Sequence, residues 1–168
     1  MTTAKSMHSI AVQKGLWDEY IDGKVSGPQK ILEQLLHVSI ELMAMASSDN
    51  DDARLEESAD VIIVLLDLAG AMGWQIDLEE IPPVSMENPV DLFEAVARLL
   101  RLARSQGTFN ADDVISIIED FYAMYGKVQI IMAVQDKAET NKTQNAHFGA
   151  KPFAMQITSK VVRQGALW

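Results

Sequence analysis

The chain has 168 residues, is 48% apolar, contains no cysteine and carries a formal net charge of −10. That length suits one domain, residues 1–168, with a sizeable core, and the composition argues against disorder. The lack of cysteine excludes disulfides and thiolate zinc sites, and the acidity disfavours nucleic-acid polymers as partners.

The elements that the pattern predicts are all helical. Residues 9–20, with Ile10, Val12, Leu16 and Trp17, form a short first helix. Ser26 and Pro28 mark the start of a second, with Ile31, Leu35, Val38 and Leu42 in one apolar stripe. After a polar turn over residues 47–52, a third helix covers about 53–72 and stops at Gly73. Pro82 and Pro83 make residues 77–89 a loop. Asn88-Pro89 opens a fourth helix to about residue 105, with Phe93, Val96, Leu99, Leu100 and Ala103 inward. Asn110 caps a fifth, with Asp112 and Asp113 in its first turn and Ile115, Ile118, Tyr122, Tyr125 and Ile130 facing the core.

No segment before residue 150 alternates as a strand does, so the class is all-α. Two helical hairpins, 28–73 and 89–134, predict a bundle of about four to five helices, and the polar chain from Lys137 reads as an irregular tail. The N-terminus lacks the apolar core of a signal peptide, and the longest apolar stretch, 61–66, is stopped by Asp67. The expectation is a protein without a membrane partner, with the cytoplasm as its default location.

Charge is unevenly placed. Residues 1–126 hold 8 Lys/Arg and 22 Asp/Glu, a charge of −14, against +4 from 6 and 2 in residues 127–168. A body that holds a metal and a basic tail are what a triphosphate needs from two directions; a solvated basic C-terminus is the plainer alternative.

Glu57 and Asp60 are three residues apart, so on a helix both carboxylates leave one face, and the apolar run after Asp60 buries that helix. Paired carboxylates on a buried helix are costly unless a cation sits between them. A divalent ion such as Mg2+, which takes a few carboxylate oxygens and substrate phosphates, fits, with Glu41 on the preceding helix as its third ligand. The other reading of Glu57 and Asp60 is a solvated salt-bridge face.

The segments KGLWDEY (14–20), LLHVSIELMAMA (35–46), LEESADVIIVLLDLAGAMGWQIDLE (55–79) and DKAETNKTQNAHFGAK (136–151) resemble, in type and order, the MazG-like nucleotide pyrophosphohydrolases. These belong to the all-α NTP pyrophosphatase superfamily, which also holds the dimeric dUTPases. The resemblance covers residues 8–151. The family's Glu-Glu-x-x-Glu helix is represented here by Glu41, its Glu-x-x-Asp by Glu57 and Asp60, and its tail motif by Lys137, Asn141, His147, Gly149 and Lys151.

The resemblance implies hydrolysis of a nucleoside triphosphate to monophosphate and pyrophosphate, with Mg2+ or Mn2+ held by Glu41, Glu57 and Asp60. Glu56 or a metal carboxylate would orient the attacking water, while Lys137, Asn141 and Lys151 would hold the nucleotide. Trp17 either stacks on the base or packs the first helix into the core. The chain departs from the family at His37 and Val38, which stand where carboxylates are usual, and at Gln144, which replaces an arginine. His37 is either a further metal ligand, better suited to Mn2+ or Zn2+, or a structural helix histidine. These departures leave a second reading, a catalytically degenerate module that binds nucleotide or oligomerises. A homodimer or homotetramer is expected in either case.

Overall fold

The computed structural model describes residues 2–83, 92–105 and 109–143, with the backbone alone for 92–94 and 102–105. The described residues form seven helices and no strand: α1 (Ala4–Gln13), α2 (Asp18–Ile21), α3 (Gly27–Ala46), α4 (Asp51–Ala71), α5 (Leu92–Ser105), α6 (Ala111–Tyr125) and α7 (Lys127–Thr143). The all-α class expected from the pattern is therefore the class observed. The side chains of Phe93 and Ala103, the start at Asn88-Pro89, and Gln144, His147, Gly149 and Lys151 lie outside what is described.

α4 is the central element. The Asn50 side chain accepts from the Ala53 amide, Asp51 and Asp52 complement the helix dipole, and the chain leaves through Gly73 at φ 76°. Val61, Ile62, Leu65, Leu66 and Leu68 are fully enclosed, so the helix is apolar on almost every side and must be surrounded. α1, α3, α6 and α7 pack around it. α3, capped by the Ser26 hydroxyl, returns against α4 after the short turn at 47–50, as the predicted hairpin requires.

α1 crosses α4 closely: a Cβ on Gly70 would lie 2.4 Å from the Ala4 carbonyl oxygen. The Ala4 amide also donates to the Ile76 carbonyl at 2.8 Å, fastening the N-terminus to the chain after α4.

Three expectations are corrected. The first helix does not span 9–20. It starts at Ala4, because Thr3 and Ser6 form a reciprocal capping box, and it ends before Gly15, whose φ is 74°. The predicted fifth helix is two helices, divided at Gly126 with φ 86° and ψ 140°, a backbone region that side chains disfavour. Ile130 is buried as expected, but on α7. The polar segment from Lys137 is not irregular up to Thr143: α7 runs through it because Ile130, Val134 and Ala138, four apart, form a narrow buried stripe beside α4.

Candidate metal centre

Glu41 lies in the last third of α3, and Glu57 and Asp60 lie in the second and third turns of α4. The two helices pack as a hairpin, and these residues lie at similar distances on either side of its turn. One carboxylate oxygen from each of the three can be chosen so that all lie within 4.8 Å of one another, and among the described residues this is the group that could hold a metal ion. Glu41 is 3% exposed, and the Oε2 of Glu57 is out of reach of solvent. Three carboxylates this close, one of them buried, repel one another and attract a cation.

Lys137 reaches into the group from α7. Its Nζ lies 2.9 Å from Glu56 Oε1 and 3.1 Å from Asp60 Oδ2. Burial alone would lower the pKa of this ammonium. The charge on Asp60 and the hydrogen bonds to Glu56 and Asp60 outweigh it and raise the value. Glu56 itself is exposed at the rim. Asn141 is one turn beyond Lys137 on α7 and half-buried.

His37 stands one turn before Glu41, with Nε2 2.9 Å from Glu41 Oε1, so it is placed to hold that carboxylate. It is outside the group of three. Val38, beside His37 on α3, is fully buried in the apolar core.

Trp17 belongs to a second cluster. It is 4% exposed and donates through Nε1 to Asp67 Oδ1 at 2.9 Å and Oδ2 at 3.0 Å. His8 Nδ1 meets Asp67 Oδ1 at 2.8 Å, and the His8 and Trp17 rings pack edge to face with centroids 5.0 Å apart. Burial pushes the Asp67 carboxyl up, against the lowering effect of the His8 and Trp17 hydrogen bonds. His8, Trp17, Tyr20, Ile31 and Leu68 line a cavity of about 140 Å3 beside this cluster. Asp60 and Asp67 are seven residues apart on α4, which is two helical turns, so they share a face about 10 Å apart along the axis.

His8 and Asp67 were not marked out by the sequence as site residues. The one signal was a lone aspartate inside an apolar run at helical register with Asp60. Comparison of the chain with protein-family models, with curated proteins and with solved structures finds no match.

Proposed function

We propose that this chain is a divalent-metal-dependent nucleoside triphosphate pyrophosphohydrolase of the MazG-like kind, cleaving NTP or dNTP to monophosphate and pyrophosphate. The observation that carries the reading is the convergence of Glu41, Glu57 and Asp60 within 4.8 Å on two adjoining helices. An all-oxygen set of three carboxylates suits Mg2+ or Mn2+, which completes its shell with water and phosphate oxygens. When bound there, the metal would neutralise phosphate charge and lower the pKa of coordinated water.

The chain's own residues account for the rest. Lys137 and Asn141, successive on one side of α7, are within reach of a triphosphate drawn to the carboxylates. Lys151 keeps the phosphate-binding role that the resemblance implies. Glu56, at the exposed rim, or one of the three convergent carboxylates takes the proton of the attacking water as its oxygen bonds to the α-phosphorus and the bond to the bridging oxygen breaks. The cavity beside Trp17 and His8, two turns along α4 from Asp60, is where a base would lie when the phosphates sit at the carboxylates. The exposed Leu36 and Met43, seven apart on α3, support a homodimer or homotetramer, which light scattering would detect. No helix among the described residues is long and apolar enough to cross a membrane.

One observation favours the degenerate module instead: Val38 is committed to the core and offers no fourth carboxylate. Incubation with a panel of NTPs and dNTPs, with Mg2+ or Mn2+ and an Asp60→Asn control, decides between the two. Pyrophosphate release that disappears in the variant supports the hydrolase. A folded protein that binds nucleotide with neither metal supporting turnover supports the module.

A further inference from the structure

Lys137 contacts the same aspartate that the metal would use. We propose that its ammonium is an internal counter-ion of the carboxylate group, which a divalent cation must displace, so that metal loading frees Lys137 for the incoming triphosphate. This rests on the metal-site reading above and adds an order of events to it.

The geometry makes shared occupancy unfavourable. Nζ lies 3.1 Å from Asp60 Oδ2 and 2.9 Å from Glu56 Oε1. A small dication coordinates a carboxylate oxygen at about 2.1 Å, so an ion on Oδ2 of Asp60 would lie within about 5 Å of the ammonium. Two positive centres at that distance, at a half-buried site, repel each other strongly. The lysine is free to yield. Its Cα is fixed by α7, whose Val134 and Ala138 are buried, but its side chain is 22% exposed and ends in a flexible four-carbon stem.

Glu56 gives the displaced ammonium somewhere to go. It is exposed and one residue before Glu57, and it is not among the three carboxylates that converge. A lysine that lets go of Asp60 while keeping Glu56 remains at the rim, where a phosphate oxygen would find it. The Lys137–Asp60 contact is then a property of the metal-free protein, and the loss of this lysine has opposite effects on the two ligands. Metal binding alone becomes tighter, and nucleotide binding to the loaded protein becomes weaker.

The test is Mn2+ binding without nucleotide, followed by calorimetry or the electron spin resonance of free Mn2+, for the wild-type chain and Lys137→Met. The expected result is roughly tenfold tighter binding by the variant, a change of about 1.4 kcal/mol. Side-chain NMR of the wild-type protein during a Mg2+ titration gives a readout that needs no variant. The Lys137 signal is expected to move toward that of a solvated lysine with the midpoint of metal binding. Metal binding with an unmoved Lys137 signal and equal affinities would overturn the exchange, leaving a fixed structural ion pair beside an intact metal site. No metal binding by either protein would overturn both the exchange and the site.

Discussion

At the scale of single residues, the acidic site was legible because its chemistry is local. Glu57 and Asp60 are three apart on one helix, so helical periodicity pairs them, and Glu41 joins them through the α3–α4 hairpin and the family resemblance. The His8–Trp17–Asp67 cluster was not legible, since its partners are 59 and 50 residues apart and meet only through the packing of α1 and α2 on α4. Asp67 also sets a pH dependence. Its carboxyl is raised above the ordinary 3.8, so the folded state binds the proton more tightly than the unfolded chain. Stability from this group is therefore full below the unfolded value and is lost as pH rises through the folded pKa. Asp67→Asn removes that loss: chemical denaturation at several pH values is expected to show the variant gaining on the wild type as pH rises, then holding level. Tyr122 makes a separate case. Its hydroxyl donates to the Leu78 carbonyl at 2.8 Å inside the protein, and Tyr122→Phe leaves that carbonyl without its donor. A loss of about 1–3 kcal/mol in urea unfolding is expected.

At the scale of elements, α3 and α6 announce themselves through Ser26 and Asn110, whose side chains accept from first-turn amides, whereas Asn50 caps α4 from within the stretch that reads as a polar turn. The start of α7 at Lys127 and its continuation to Thr143 were hidden for two reasons. Beyond Val134 the helix is polar, with Ala138 as its last buried residue, and the division from α6 depends on one glycine inside an otherwise helical pattern. Gly126 carries that division at φ 86°, and a Cβ there would lie 2.5 Å from Gln129 Oε1. Gly126→Ala is expected to cost about 1–3 kcal/mol, most of it backbone strain. The site depends on this turn, because α7 must leave α6 at the right angle to carry Lys137 to Asp60. The same variant should therefore also change Mn2+ affinity, which calorimetry would register.

At the scale of the whole molecule, the charge of −10 and the convergent carboxylates make the folded state one that a dication should stabilise. At a metal concentration one hundred times the dissociation constant, the stabilisation is expected to be about 2.7 kcal/mol. It should be visible as a rise in Tm of several degrees, and Asp60→Asn should abolish it. With three carboxylates and Val38 in the core, half-saturation by Mg2+ is expected above the micromolar range. The helical class was legible from periodicity throughout, whereas the cavity beside Trp17 was not, since a cavity is a property of how α1, α2, α3 and α4 meet. We propose that this arrangement directs water to the α-phosphorus of a nucleoside triphosphate. Phosphorus NMR of a dNTP panel incubated with the protein and Mg2+ tests it most directly. Signals of nucleoside monophosphate and pyrophosphate growing together are the predicted result; diphosphate with orthophosphate, or spectra that never change, would contradict it.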